Sequence, residues 1–331
     1  MFAPYKIATL IDVVAGHGLA AETVLTGTGL SPADVADPHT LTSIRQYLTA
    51  CENVVTAGVD LSVAYDVGAH LHLSAYGMYG YALMCSPTMR DFFEFAVRYH
   101  PLATPIQQLG WRQDGDLAIW SFTEIYGDLM SHDLRNFLLR QQMMMTSTHM
   151  RDVMGVHAHP IRASFGLPDI GRTAADEATL GCPCLFGQPA HELHYSASVL
   201  DQAPELANRL TRAMLEDTCD RLVGQAKMTT GVAGDVYQLL MLAPNGFPSM
   251  QAVAQRLGMT ERTLRRRLDE AGQTYATIVD DVRRTLTLEY LTTTRISADD
   301  IAWKVGFSDS SNLRRAVKRW TGRTFAEVRR G

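Results

Sequence analysis

Signals for membrane insertion or export are missing from this sequence of 331 residues. An uncharged apolar run of about 18 residues, the minimum expected for a transmembrane helix, does not occur. The N-terminus, Met-Phe-Ala-Pro-Tyr-Lys, lacks the basic start and the long apolar core of a signal peptide. We therefore expect a cytoplasmic protein without a membrane partner.

Cysteine is scarce and catalytic motifs are absent. The chain has five cysteines, at Cys51, Cys85, Cys182, Cys184 and Cys219. An odd, scattered set in a chain without an export signal indicates reduced thiols, not a disulfide framework. No nucleophile elbow, phosphate-binding loop or zinc-hydrolase pattern occurs. The expectation is a protein that is not an enzyme and that has no cofactor and no metal site.

Charge is divided unevenly along the chain. The whole sequence is 46% apolar and carries a net charge of −5, which alone argues against a polyanionic partner. Residues 248–331 contain 16 Lys and Arg against 10 Asp and Glu, a balance of +6. Residues 1–247 therefore contain 14 (30 − 16) against 25 (35 − 10), a balance of −11. A basic C-terminal region on an acidic body is typical of a nucleic-acid reader.

A spacing that occurs twice organises the basic region. In each copy an alanine is followed four residues later by a glycine, and then by a leucine. These residues are Ala254, Gly258 and Leu264 in the first copy and Ala302, Gly306 and Leu313 in the second. The alanine lets two helices approach, the glycine takes the positive φ of a turn, and the leucine anchors the second helix. Each copy therefore predicts a helix-turn-helix.

The outward positions of the second helices are the predicted DNA contacts. The guanidinium group of arginine can donate two hydrogen bonds to guanine O6 and N7. A good contact of this kind contributes about 1–3 kcal/mol of discrimination against the wrong base. The candidates for base contacts are Arg262, Thr263, Arg265, Arg266, Ser310, Ser311, Arg314 and Arg315. The candidates for phosphate contacts are Lys304, Lys318, Arg319 and Arg323. One long helix over Tyr275–Leu291 would place the two readers in successive major grooves, roughly 34 Å apart.

Residues 249–330 resemble the AraC/XylS family of bacterial transcription regulators. The resemblance is carried by Gly258-Met-Thr-Glu-Arg-Thr-Leu-Arg-Arg-Arg-Leu, Ala271-Gly-Gln-Thr-Tyr, Ile301-Ala-Trp-Lys-Val-Gly-Phe-Ser-Asp and Arg315-Ala-Val-Lys-Arg-Trp-Thr-Gly. It implies a seven-helix DNA-binding domain, double-stranded DNA as partner, and activation through contact with RNA polymerase. Leu313 and Val317 stand where the family has Phe, and Thr324-Phe325 replaces Ser-Pro. These departures concern packing and a final turn, not the reading residues.

Residues from Ala20 to about Arg209 are more loosely similar to the N-terminal domain labelled arabinose-binding in one branch of that family. The signs are the segments 77–89, Phe165-Gly-Leu-Pro and Leu193–Leu200. The label does not imply a sugar, so the resemblance implies a small-molecule effector of unknown identity. It also implies a helical domain with an embedded small mixed sheet.

Periodicity gives the same fold class: a mixed α+β N-terminal domain, mostly helical with a small sheet, and an all-α C-terminal domain with two helix-turn-helix units joined by a long helix. Ser31 and Ser43 are predicted to cap helices, and Asp114-Gly115 predicts the turn of a hairpin. Residues 70–81 predict a packed loop leading into a helix, and 227–234 a linker. A helix from Pro204 to about Val223 carries an apolar stripe that indicates core or a dimer seam, with core favoured. The stripe consists of Leu206, Leu210, Met214 and Leu222.

The hypothesis is a homodimeric regulator controlled by a small-molecule effector, with domains 1–226 for effector binding and dimerisation, 227–248 as linker and connecting helix, and 249–331 for DNA binding. We expect a pocket lined by aromatic and Met side chains with an Arg or His anchor. The candidates are Tyr76, Tyr79, Tyr81, Trp111, Trp120 and Met144. An alternative is a thiol or soft-metal switch at Cys182 and Cys184, with His191 and His194 nearby.

Overall fold

The computed structural model describes residues 2–103, 106–124, 130–225, 231–241, 247–294 and 296–330. The chain divides into two compact units, Met1–Gln225 and Ala226–Gly331, which we name the N-terminal and the C-terminal unit. Within the described ranges, no helix is both long enough and apolar enough to cross a membrane.

The N-terminal unit begins with five helices, and capping serines mark the starts of two of them. These are α1 (Tyr5–Ala15), α2 (Ala21–Leu25), α3 (Pro32–Ala36), α4 (Ile44–Thr56) and α5 (Ser62–His70). Ser31 and Ser43 cap α3 and α4 in capping boxes, where each serine accepts from the third helical N–H. The predicted caps of both helices are therefore confirmed.

The Gly- and Tyr-rich stretch at 70–81 is mainly helical, so the predicted loop is wrong. A 3-10 turn over Leu73–Tyr76 leads directly into α6 (Gly77–Met84). Gly80 lets α6 fold back on this turn, because a Cβ there would overlap the carbonyl oxygen of Leu73. Segments that pack this closely and loops are both rich in small residues. Composition alone therefore could not distinguish the helix from a loop.

A small sheet follows α7 (Met89–Tyr99). Its strands are β1 (Gln107–Asp114), β2 (Leu117–Glu124), β3 (Arg162–Ser164), β4 (Cys184–Leu185) and β5 (His191–Ser196). Among the described residues the order is β1-β2-β5-β3-β4, with a parallel β3–β4 pair and antiparallel pairing elsewhere. The predicted hairpin is confirmed, since Asp114 pairs with Leu117 and Gly115 has a φ of 54°.

A buried ion pair joins two further helices to each other, and a hydrogen bond links it to α5. They are α8 (His132–Met154) and α9 (Thr173–Leu180). Arg140 of α8 and Asp176 of α9 are 0% and 1% exposed, and Nη2 lies 2.8 Å from Oδ2. The Tyr65 hydroxyl of α5 donates to the same carboxylate at 2.9 Å. Asn136 Oδ1 accepts from Arg140 Nη1 at 2.7 Å, so the buried charges have hydrogen-bond partners.

The last helix of the unit is α10 (Arg209–Gln225), and the apolar stripe predicted for this region is largely exposed instead of buried in the core. The predicted start at Pro204 is wrong, because α10 begins at Arg209 and Leu206 lies in a turn before it. Leu206, Leu210 and Met214 are 61%, 73% and 66% exposed, so the favoured core assignment is wrong for these three. The side chain of Leu222 lies outside the described residues. The buried side of α10 carries Leu215 and Cys219 instead.

The described part of the C-terminal unit consists of seven helices, of which six lie within the predicted DNA-binding domain 249–331 and one, α11, lies before it. They are α11 (Gly231–Met241), α12 (Met250–Arg256), α13 (Glu261–Glu270), α14 (Tyr275–Thr293), α15 (Ala298–Lys304), α16 (Ser310–Thr321) and α17 (Phe325–Arg330). The predicted linker is wrong for residues 231–234, which begin α11, while 226–230 lie outside the described residues. Helix α11 packs on α14, and Tyr237 donates to the Thr285 hydroxyl at 2.9 Å.

Candidate DNA-binding interface and effector cavity

The two repeated turns have the same backbone structure. Gly258 and Gly306 adopt φ values of 67° and 69° after α12 and α15. In both turns the glycine N–H bonds three residues back, and the next N–H, of Met259 or Phe307, bonds five residues back to the alanine carbonyl. This is the Schellman arrangement, which ends a helix and sends the chain into the next one. Two helix-turn-helix units are therefore present in the C-terminal unit.

The second helix of the first unit, α13, exposes the arginines predicted to contact bases. Thr260 caps it by accepting from the N–H of Thr263 at 3.2 Å. Leu264 and Leu268 are 0% and 1% exposed, so the opposite face is free to meet a groove. On that face, Arg265 forms an ion pair with Glu261 at 3.0 Å, and Arg266 lies 3.7 Å from the Glu270 carboxylate. The remaining candidate, Arg262, is exposed and Thr263 is half-buried.

The second helix of the second unit, α16, is capped by Asp309. Leu313 and Val317 are 0% exposed, so the departures from the family pattern lie in the core. The four base candidates lie in the first half of the helix. Ser311, Arg314 and Arg315 are exposed, and Ser310 is half-buried. Arg315 donates to Asn312 at 2.8 Å, and the Arg314 guanidinium lies 4.8 Å from the Phe325 ring centre.

The four phosphate candidates differ in their surroundings. Lys318 is exposed and Lys304 half-buried. Arg319, in contrast, donates to the Asp280 carboxylate of α14 at 3.0 Å, beside the Trp320 indole that donates there at 3.1 Å. Arg323 donates to the Glu327 carbonyl at 2.9 Å, so both arginines also have intramolecular partners.

Arg283 of α14 is a functional candidate that the sequence reasoning missed. It donates from Nε to the Val305 carbonyl at 3.2 Å and from Nη2 to the Gly306 carbonyl at 2.9 Å. Its guanidinium lies 5.6 Å from the ring centre of Phe247 and 5.1 Å from that of Phe307. It thus binds the end of α15 and the second turn to the connecting helix. Helical periodicity in the sequence cannot predict a hydrogen bond from a side chain to the backbone of a distant segment.

The N-terminal unit contains a narrow cavity of about 30 Å³ between α6, α7, α8 and the sheet. Its lining is aromatic and apolar with a few polar groups. These residues are Tyr76, Tyr79, Leu83, Phe92, Ala96, His100, Ala103, Leu109, Trp120, Gln142, Met145, Thr146 and His149. The volume holds about two water molecules, so a metabolite needs side chains to move.

Three of the six predicted pocket residues line this cavity: Tyr76, Tyr79 and Trp120. Tyr81 is 56% exposed on the outer side of α6. Met144 faces α5, where a Cβ on Gly68 would lie 2.9 Å from it. The face of α8 toward the cavity carries residues 142, 145, 146 and 149 instead, at helical spacing. On β1 it is Leu109, not Trp111, that lines the cavity.

Burial keeps the cavity histidines neutral. It lowers the pKa of His100 to about 3 and that of His149 to about 4. His149 contacts the Leu71 carbonyl at 3.0 Å and packs edge-on against Tyr76. Both cavity histidines are therefore neutral, and His149 Nε2 is hydrogen-bonded to the backbone.

Cys184 is buried at the start of β4, where it pairs with Ala163 of β3, and Cys182 is buried two residues before it. The Cys184 thiol lies 3.6 Å from the Cys182 carbonyl oxygen. A hydrogen bond from Cys184 lowers the pKa of Cys182 and raises that of Cys184. His191 and His194 contact Glu124 and Glu192, and the part of the chain that the structure describes has no group of three metal-binding side chains. Nothing here favours the thiol or soft-metal alternative.

Two family profiles match the chain. The family described as the arabinose-binding domain of AraC transcription regulator, N-term, matches residues 18–203. A helix-turn-helix domain matches residues 253–331, which contain both turns. The chain belongs to the AraC family of transcription regulators. The first match contains every residue that lines the cavity, and the second contains every candidate for DNA contact.

Several proteins named as regulators are similar to this chain. The ornithine utilization regulator of Pseudomonas aeruginosa is 28% identical over 321 residues, covering 97% of this chain and 94% of the relative. The HTH-type transcriptional regulator VirS of Mycobacterium tuberculosis is 31% identical over 172 residues, covering 50% and 48%. The crystal structure of the transcriptional regulator CdpR from Pseudomonas aeruginosa has the same fold, with a TM-score of 0.50 at 21% identity, covering 98% and 97%.

These assignments make this AraC-family chain a DNA-binding transcription regulator with an effector domain at its N-terminus. The relatives described above are named as regulators, not as enzymes.

Proposed function

We propose that this regulator binds a bipartite DNA site in the cytoplasm and activates transcription when a small molecule occupies the cavity of the N-terminal unit. The observation that carries the proposal is the pair of matched turns, each followed by a helix with an exposed basic face. Helix α14 joins them and, at about 1.5 Å per residue, its 19 residues span about 28 Å. That length is close to the roughly 34 Å between successive major grooves.

Base contacts in the first half-site are assigned to Arg262, Thr263, Arg265 and Arg266 of α13. The ion pairs of Arg265 and Arg266 with glutamates of the same helix are exposed, so each contributes about 0–1 kcal/mol. A bidentate arginine–guanine contact contributes about 1–3 kcal/mol of discrimination, and DNA therefore competes successfully for these side chains.

In the second half-site, Ser310, Ser311, Arg314 and Arg315 of α16 are assigned to bases. Lys304, Lys318, Arg319 and Arg323 are assigned to phosphates. Of these four, Lys318 has the strongest support because it is exposed at the end of α16. Arg319 has to exchange its bond to Asp280 for a phosphate.

A homodimer is supported by the exposed stripe on α10. Two copies of α10 packed antiparallel about Ala213 would bury Leu210 and Met214 and place Arg209 of one copy near Asp217 of the other, because 209 and 217 are equidistant from 213. All five positions are exposed. A two-fold interface requires such self-complementarity, with an apolar centre and opposite charges at its ends. A second copy of this chain is therefore the proposed occupant of the stripe.

Sedimentation velocity tests the dimer. We expect the wild-type chain to sediment as a dimer and Met214→Glu as a monomer. Met78→Glu is the matched control, because Met78 is also an exposed methionine, 45% exposed, but lies on α6. A monomeric wild-type chain, or a dimeric Met214→Glu variant, would contradict this interface.

The DNA-binding proposal is tested by selecting binding sites for the full-length chain from random double-stranded DNA. We expect two unlike half-sites, because three arginines and one threonine of α13 are assigned to bases, whereas two serines and two arginines of α16 are assigned to them. Transcription from a promoter with the selected site, with purified RNA polymerase, tests activation. Selection of no common sequence would refute sequence-specific reading, and unchanged or reduced transcript would refute activation.

A further inference from the structure

The exposed start of α16 carries a connected set of hydrogen bonds around Asn312. The Asp309 carboxylate accepts from the Asn312 backbone N–H at 2.7 Å, which caps the helix, and from the Asn312 side-chain amide at 2.7 Å. The same amide nitrogen donates to the Ser308 hydroxyl at 2.8 Å. On its other side, the Asn312 amide oxygen accepts from Arg315 Nη2 at 2.8 Å. Asn312 therefore joins the capping carboxylate to an arginine that is a candidate for base contact.

An amide fits between these two groups in one orientation. A carboxylate only accepts hydrogen bonds, and a guanidinium only donates them. The nitrogen of Asn312 must therefore face Asp309, and its oxygen must face Arg315. The asparagine satisfies both partners and adds no charge of its own, so the positive charge of Arg315 stays available to DNA.

Arg315 is placed to meet a base. It lies two residues from both Leu313 and Val317, which are 0% exposed, and at about 3.6 residues per turn this puts Arg315 on the opposite side of α16. The bond to Asn312 uses one N–H donor of the guanidinium, and other donors remain for guanine O6 and N7. Arg315 can therefore keep its bond to Asn312 while it reads a guanine.

The first helix-turn-helix unit provides a comparison within the chain. Counted from the capping residues, Thr263 of α13 stands at the position of Asn312, and Arg266 stands at that of Arg315. The Thr263 hydroxyl bonds to the hydroxyl of its cap at 2.9 Å, but Arg266 lies 3.7 Å from the Glu270 carboxylate further along the helix. The set of bonds that begins at the cap thus extends to the arginine in the second unit.

We propose that Asn312 is a positioning residue that orients Arg315 toward one guanine of the second half-site. The bond holds the guanidinium before DNA binds, so less side-chain freedom is lost on binding. This inference rests on the proposed function, since it assigns a source of specificity to the same DNA site.

The test measures the affinity of the full-length chain for the selected site and for sites in which each base pair of the second half-site is changed in turn. Arg315→Ala identifies the base pair that Arg315 reads, as the one where preference for guanine is lost. Asn312→Ala should reduce the preference at this same base pair by about two- to tenfold, the effect of having to order one long side chain on binding. The double variant should lose no more preference there than Arg315→Ala alone, because Asn312 acts through Arg315.

A second variant and a control accompany the measurement. Asn312→Thr places at 312 the residue type found at 263, which contacts its cap, and should give the same loss as Asn312→Ala. Gln255→Ala is the control, because Gln255 is an exposed amide on α12 and should leave the base preference in the second half-site unchanged. Thermal unfolding checks that each variant is folded.

Wild-type preference in Asn312→Ala, loss of preference at a different base pair, or equal losses on selected and random DNA would each overturn the positioning role. An additive loss in the double variant, or unchanged base preference in Arg315→Ala, would overturn it as well. In all these cases the proposed function stands if the wild-type chain selects a common sequence. If the wild-type chain selects none, both fail.

Discussion

Replacement of Arg283 by alanine tests whether the connecting helix fixes the second helix-turn-helix. The change removes two hydrogen bonds, to the carbonyls of Val305 and Gly306, and the contacts of the guanidinium with Phe247 and Phe307. These carbonyls end α15, where a cation is also favoured by the helix dipole.

The magnitude follows from the exposure of the bonds. A hydrogen bond to a charged group contributes about 1.5–3 kcal/mol when buried, and we take about 1 kcal/mol for each because Arg283 is half-buried. The aromatic contacts add about 0.5 kcal/mol. The C-terminal unit should therefore lose about 2–3 kcal/mol, which for a unit of this size corresponds to a fall in Tm of roughly 8–12 °C.

The assay is thermal unfolding of the full-length chain, followed by DNA binding to the selected site. Arg284→Ala is the matched control, because Arg284 is the next residue on α14 and is exposed, so a change within about 0.5 kcal/mol is expected. Arg283→Ala should also weaken binding to DNA that keeps only the second half-site more than to DNA that keeps only the first. A Tm equal to that of Arg284→Ala would show that the bonds of Arg283 do not stabilise the C-terminal unit.

Three further predictions concern other sites. Arg266→Ala should relax base preference, whereas Lys318→Ala should weaken binding to all sequences and reduce the salt dependence; equal losses on selected and random DNA for Arg266→Ala would contradict this assignment. Asp176→Asn should destabilise the N-terminal unit by about 3–5 kcal/mol in urea unfolding, because it leaves the Arg140 charge buried; a loss below about 1 kcal/mol would contradict it. Burial alone would raise the pKa of Glu124, but hydrogen bonds from His191 and Arg135 lower it to about 2. Its stabilising effect is therefore complete above about pH 4.5 and is lost as the pH falls through 2, so the stability difference between wild type and Glu124→Gln should shrink over that range; a constant difference would exclude this linkage.

Local signals in the sequence predicted the elements that local chemistry determines. Capping residues such as Ser31 and Ser43, the Asp114-Gly115 hairpin and the glycines of both helix-turn-helix units act within a few residues of their own position. The same reasoning failed at residues 70–81, where Gly80 serves a tertiary approach and not a loop.

Long-range partners could not be predicted in the same way. Periodicity identified α8 as a helix but not which of its faces meets the cavity, and Met144 was chosen where Met145 lines it. The bond of Arg283 to the Gly306 carbonyl spans 23 residues and depends on tertiary structure. The stripe on α10 shows the same limit, since apolar spacing alone did not distinguish a core face from an exposed one.

We propose that α13 and α16 read one DNA site as a rigid pair. The direct measurement is the affinity of the full-length chain for the selected site with 5 base pairs inserted between the half-sites. Such an insertion turns the second half-site by about half a helical turn, out of reach of α16. We predict at least a tenfold loss, to the affinity of DNA that keeps the first half-site alone. Affinity unchanged by the insertion would contradict the claim.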